Sequence, residues 1–400
     1  MHKYGLRVIV SVDFGHTVSA DSVASAFEKT VPGYFYRHTL NGTYSEISGY
    51  GYETASERAG VRKYIVESVL FWLEEYHVDG FCFHGMSLHD TETMNAIRRA
   101  VDRIDSTVVI MGDGRSLGAH LPINKQATPT LVDSLPRLLF FGNELYDGLH
   151  GNSLADTVGG FLSAANGYVE NIKFGIVGGI RHPQVNDSLV SYADNQWHAP
   201  QPTQFIGYAA RSDGYSLSDR LRKALPGLTT ERMIALDKLA QTAIFTSQGI
   251  PFLSNGEELL RTKKGLDYTS HSSDLVNAVE WSYKELYYDV FSYCRSLIQL
   301  RHRHPAFRMG NAESICRHLE FLPVEQSNVV AYRLKDHAGG DEWEEIIVIL
   351  NASPYPVHTQ IPADRYRVIA GEGRIDELST ETVDGPDIYV HPESAMILAR

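Results

Sequence analysis

Residues 6–14, LRVIVSVDF, form an apolar, β-branched run of strand length, and a polar stretch rich in glycine and tyrosine follows to about residue 52. The period then changes. Thr54 and Glu57 stand at the T-x-x-E spacing of a capping box, and Val61, Ile65, Val69, Trp72 and Tyr76 recur at helical spacing along one face. A short strand is expected at 78–83. Asp90 can cap a second helix with Met94, Ile97, Val101 and Ile104 on one face, and 107–111 reads as strand again. The order β, α, β, α, β implies parallel strands, and in such folds the carboxyl ends of the strands face the ligand cleft.

Residues 113–200 carry no clear period: Gly, Asn and Asp are scattered, Val177-Gly178-Gly179 breaks any pattern, and 195–202 reads as loop. Order returns with a strand at 205–210, a helix over 230–248, a strand at 250–253 and a helix over 285–302. From Cys316 the helical period disappears. Short strands are predicted at 329–334, 345–350, 367–369 and 395–399, separated by Gly, Asp and Pro turns, so a separate antiparallel β domain is expected.

Composition narrows the function. A chain of 400 residues, 43% hydrophobic and 21% charged, can bury a large core as an ordinary soluble protein. A formal charge of -13 repels phosphate backbones and anionic membranes, so nucleic acid and membrane are set aside as partners in favour of a neutral ligand. Cys82, Cys294 and Cys316 are odd in number, widely spaced and form no CxxC pair, which suits neither a disulfide framework nor a zinc knuckle. No window reaches the roughly 18 apolar residues needed to cross a membrane, and no small-residue cleavage site follows the start. A cytoplasmic location is expected.

Several strings resemble the type I pullulanases, members of the α-amylase superfamily that cut α-1,6 branch points. They are VPGYFYR (31–37), ASER (55–58), EEYHVDGF (74–81), LHDTETMN (88–95), DKLAQTAIFTSQGIPFL (237–253), RHRHPAFRM (301–309) and NVVAYRLKDHAGGDEW (328–343). The resemblance runs nearly end to end. It implies an α/β fold: an incomplete TIM-type (β/α)8 barrel over residues 1–311 that begins near the third strand, then a C-terminal antiparallel β-sandwich over 312–400. A barrel lacking two strands leaves an open sheet edge, which implies a homo-oligomer or a partner chain that covers it.

Retaining glycosidases need two carboxyl groups about 5 Å apart, one to attack the anomeric carbon and one to protonate the leaving oxygen. The family's nucleophile ends a Phe-Arg-Phe-Asp string; here the string is Phe81-Cys82-Phe83-His84. Strand alternation puts Cys82 and His84 on one side, so the nucleophile and its neighbouring arginine are both replaced. The family's acid, the glutamate of a Tyr-Gly-Glu string, corresponds to Asp113 in Met111-Gly112-Asp113. The resemblance gives Asp213 the role of transition-state stabiliser, with Ser212 beside it as a substrate contact. The family's Asp-Val-Val-Tyr-Asn-His string is Ser11-Val12-Asp13-Phe14-Gly15-His16 here, keeping the histidine, and Tyr52 stands at another cleft position.

The pattern reads as a catalytically degenerate pullulanase relative, a pseudoenzyme that is inert or binds α-glucan such as branched starch, glycogen or pullulan. Two alternatives are a weak α-1,6-glucosidase using Asp113 and Asp213 with a water, and a non-enzymatic subunit that pairs through the open barrel edge. His16, His84, Asp113 and Asp213 could together bind a divalent metal, but no HxH or HxxxH spacing supports it, so no metal is assigned. No cofactor is expected, and calcium is left open without a DxDxDG loop. Cys82 reads as a buried small side chain before a reactive thiol. The tyrosine-rich loop 33–52 reads equally as a sugar-stacking surface or as plain loop.

Overall fold

The computed structural model describes residues 1–20, 25–151, 159–211 and 214–400. They fall into two compact units, residues 1–141 with 193–200 and residues 142–192 with 201–400.

In the first unit the chain runs through β1 (Ile9–Val12), β2 (His16–Thr17), α1 (Ala26–Thr30), β3 (Tyr52–Glu53), α2 (Ala59–Tyr76), β4 (Gly80–Phe83), α3 (Thr91–Asp102), β5 (Val109–Gly112) and β6 (Leu138–Phe141). Strands β1, β4, β5 and β6 pair in that order, all parallel, as alternation with α2 and α3 requires. Strands β2 and β3 form a small antiparallel ribbon.

Helix α2 departs from the T-x-x-E expectation. Its N-cap is Arg58, with no side-chain cap. Thr54 donates instead to the carbonyl of Phe14, and Glu57 pairs with Arg37, so tertiary partners displace the local box. Val61, Ile65 and Val69 are buried as the spacing predicts, but Leu73 continues the stripe while Tyr76 is exposed. The cap of α3 is as expected: Asp90 accepts from the Thr93 amide at 3.0 Å, and Met94, Ile97 and Val101 are buried. Ile104 lies past the last turn of α3 and is exposed.

The second unit contains α4 (Asn143–His150), α5 (Val169–Ile176), β7 (Phe205–Tyr208), α6 (Leu217–Ala224), α7 (Thr230–Phe245), β8 (Ile250–Phe252), α8 (Asp274–Asn277), α9 (Tyr283–Leu286), α10 (Tyr288–Arg303) and α11 (Ala312–His318). Strands β7 and β8 are parallel. The remainder is antiparallel, as predicted: β9 (Leu319–Leu322), β10 (Val329–Leu334), β11 (Ile346–Asn351), β12 (Val357–Gln360), β13 (Arg365–Gly371), β14 (Arg374–Ile375), β15 (Thr382–Asp384), β16 (Asp387–Val390) and β17 (Ser394–Ala399). One sheet has the order β14-β13-β17-β11-β10-β9, with β15 on β13, and β12 pairs with β16. Val329, Ala331, Ile347, Ile349 and Leu398 on alternate sheet positions pack against Val357, Ile388 and Val390 of that ribbon. Parallel strands alternating with helices, followed by these antiparallel sheets, are consistent with part of a barrel and a β domain.

Candidate functional site

Parallel register fixes the centre of the site. Cys82 lies between Ser11 and Met111, and Phe83 between Val12 and Gly112. His84 and Asp113 are therefore the first residues past two adjacent strand ends. Val12, Phe83 and Gly112 are buried on one side, while Ser11 is exposed and Cys82 half-buried on the other. The His84 amide donates to the Val12 carbonyl at 2.9 Å, and Gly85, at φ 54, turns the chain away. Gly112 has no room for a side chain, because a Cβ there would stand 2.6 Å from the Phe83 carbonyl oxygen. That close approach sets where Asp113 leaves the sheet.

The His84 ring is exposed, with Nε2 2.6 Å from Ser11 Oγ. Asp113 turns one carboxylate oxygen to its own chain, accepting from the Arg115 amide at 3.1 Å. Burial, and then the Asp113 charge, push the Cys82 thiol up to about 11, so it is protonated at neutral pH and a poor nucleophile.

His16 lies across the ribbon from Glu53, and Thr17 across from Tyr52. His16 Nδ1 is 3.0 Å from a carboxylate oxygen of Asp13, and its ring centre is 5.8 Å from that of Tyr50. The tyrosine-rich loop divides in two. Tyr36 is fully buried, its hydroxyl bonded to Thr17 at 2.8 Å and Ser25 at 2.9 Å, and Tyr44 bonds Glu28 at 2.7 Å, so these rings hold the loop together. Tyr50 is 53% exposed beside His16.

The structure thus brings His84, Cys82 and Asp113 to neighbouring strand ends, and sets His16 and Tyr52 on the ribbon. Ser212 and Asp213 lie outside the described residues. Among the described residues no three His, Cys, Asp or Glu side chains group closely enough to hold a metal ion.

The sequence places Ser11 and Asp13 in the string that ends at His16, and Tyr50 in the tyrosine-rich loop, but gives none of them a partner. The i,i+3 spacing of Asp13 and His16 was a usable signal; the Ser11 contact needs the pairing of two distant strands. Sequence reasoning gives no role to His89, which is fully buried, lies 5.5 Å from the Phe83 ring and is driven down to about 4 by burial and then by the Arg37 charge. In the second unit a cleft of about 590 Å³, lined by Arg261, Lys264, Asp274, Glu280 and Tyr283, opens beyond β8.

The chain is similar in sequence and fold to known proteins along its length. A family model described as the all-beta domain of pullulanase matches residues 315–374. The pullulanase of Bacillus subtilis (strain 168) is 35% identical over 387 residues, covering 95% of this chain and 51% of that protein. Among solved structures, the pullulanase from Bacillus acidopullulyticus superposes with a TM-score of 0.91 at 34% identity, over 100% of this chain and 47% of that one. The Paenibacillus barengoltzii pullulanase in complex with maltohexaose and alpha-cyclodextrin gives 0.90 at 36% identity, over 100% and 59%. The chain spans about half the length of the Bacillus subtilis relative.

Proposed function

We propose that this chain, pullulanase-like in sequence and fold, binds α-glucan at its strand-end cleft and hydrolyses it weakly or not at all. The observation that carries the reading is the side chain at position 84. A neutral imidazole does not form the ester intermediate of a retaining glycosidase, and its cation opposes the oxocarbenium-like charge of the transition state. Here Nε2 is already within 2.6 Å of Ser11 Oγ. Asp113 in the acid position has a carboxyl shorter by one methylene than glutamate, and a displacement of roughly 1 Å can cost roughly a hundredfold in rate.

Binding is supported from two sides. The Paenibacillus barengoltzii relative is described in complex with maltohexaose, and the rings of His16 and Tyr50 offer this chain stacking faces with polar edges. In this reading the resemblance gives Asp213 the stabilising role and Ser212 that of a substrate contact, while Cys82 and Tyr52 belong to the strand-end cleft of the first unit. Residues 1–311 serve as the barrel domain and 312–400 as the sandwich. The free thiols of Cys82, Cys294 and Cys316 suit a cytoplasmic, reducing setting.

Incubation with pullulan and calorimetric titration with maltotriose separate the two halves of the proposal. The expected result is heat of binding without reducing-end release above the blank. A combined His84→Asp, Asp113→Glu, Cys82→Arg variant is expected to gain hydrolysis by several orders of magnitude. Strong release that persists in His84→Ala overturns the reading.

A second reading rests on β1. Among the described residues of its unit β1 pairs with β4 alone, and Ile9 on it is exposed, whereas parallel strands are ordinarily covered on both faces. This favours a chain that docks a further strand there.

A further inference from the structure

Helix α7 and the short 3-10 turn Glu257–Leu259 bury polar side chains that nothing in the glucan site uses. Asp237 and Gln241 stand one turn apart on α7 and are each 1% exposed; Glu257 is 4% exposed. Neither carboxylate oxygen of Asp237, nor Glu257 Oε1, nor the Gln241 amide nitrogen has a hydrogen-bond partner among the described residues. The other Glu257 oxygen accepts from the Ser254 amide at 2.6 Å and so ties down the turn that follows β8.

The charged surroundings are mostly of the wrong sign. Glu258 acts on both carboxyls, Asp237 acts on Glu257, and Cys294 of α10 faces all three acids. Lys238 is the cation acting on Asp237, but its ammonium is committed to Asp289 at 3.2 Å, to the Gly373 carbonyl at 3.0 Å and to the ring of Tyr293. Tyr293 in turn bonds Thr242 at 2.8 Å. Ionising Asp237 or Glu257 would bury a carboxylate with little to stabilise it.

We propose that Asp237 and Glu257 keep their protons in the folded chain at pH values where unfolded carboxyls are already ionised, so that the second unit loses stability as pH rises and these protons leave. Unfolded carboxyls titrate near about 4. Burial, foremost, holds both folded carboxyls well above that range. The stability they contribute is therefore complete below about pH 4 and is lost as pH climbs towards their folded values, up to about tenfold in the folding equilibrium per pH unit for each group.

The test is denaturant unfolding of the full chain between about pH 5 and about pH 8 for the parent, Asp237→Asn and Glu257→Gln. The amides mimic the neutral acids, so each variant is expected to gain on the parent steadily as pH rises, by up to about tenfold per unit. Parallel pH profiles overturn the proposal. Should the variants not fold, infrared spectra of the parent decide. A carboxylic-acid C=O band in the folded chain at about pH 5.5, where unfolded carboxyls are ionised, that vanishes on unfolding supports buried protonated acids, and its absence from the folded chain refutes them.

Discussion

His89 illustrates how one side chain sets a pH limit. It is fully buried, and a backbone contact with Met86 offsets only part of the cost of charging it. Burial first, and the Arg37 charge second, lower it to about 4, whereas an unfolded histidine titrates near about 6.5. The folded imidazole thus refuses a proton that the unfolded one accepts. Its contribution is whole above about pH 6.5 and is lost as pH falls towards about 4, on the order of 3 kcal/mol in all. Replacing His89→Leu should flatten that acid limb in denaturant unfolding at successive pH values. An unchanged acid limb would show that other groups cause it. His84 differs from His89 in kind: it is exposed beside Ser11, and its position was readable because strand alternation after a recognisable string places it. The bond to Ser11 was not readable, since it depends on how two strands 73 residues apart line up.

Among the elements, the junction from α7 into β8 is tied to α10 through the Arg301 cation. The Arg301 guanidinium of α10 donates to the carbonyls of Phe245 (3.0 Å), Ser247 (2.6 Å), Phe307 (2.7 Å) and Gly249 (2.7 Å). Burial brings its pKa down to about 10, yet it stays charged at neutral pH. The guanidinium offers these carbonyls a rigid fork of donors, three of the bonds coming from Nη1 and one from Nη2, which lysine lacks. Arg301→Lys should therefore cost about 3 kcal/mol in denaturant unfolding, as buried carbonyls lose their donors. A loss below about 1 kcal/mol would mean that the junction closes without the fork. The elements themselves were legible where periodicity is strong: α3, α7 and β10 fall close to their predicted spans. Strand β6 and helices α4 and α5 were missed. Leu138–Phe141 is a four-residue apolar run with no alternation, and α4 buries Asn143, Glu144, Asp147 and His150 along with its apolar residues, so its polar positions do not mark a solvent face. The capping box failed for the opposite reason. Its two side chains were legible, but Phe14 and Arg37, distant in sequence, claimed them.

At the scale of the whole molecule, the second reading turns on β1, for which no strand partner besides β4 is seen among the described residues of the first unit. Strands β5 and β6 alternate buried and half-buried positions and β4 is buried except at the half-buried Cys82, while β1 leaves Ile9 37% exposed and Ser11 open to solvent. Nearby in sequence to β4, helix α2 also shows an aromatic cluster outward: the ring of Tyr76 is 4.5 Å from Trp72 and 5.8 Å from Phe71, and both Phe71 and Tyr76 are exposed. An apolar strand with free backbone groups on one side is a template for another strand, and natural edges are usually blunted by charge. Between Ile9 and Val12 there is none. The chain should accordingly self-associate as its concentration rises, or bind a strand-bearing partner, and Ile9→Lys should weaken either by placing an ammonium in the path of the incoming strand. Sedimentation velocity over a range of concentrations checks this on the parent and the variant together. A parent that remains monomeric throughout and melts cooperatively would show that the β1 edge needs no cover, leaving the glucan cleft as the sole recognition surface proposed for the chain.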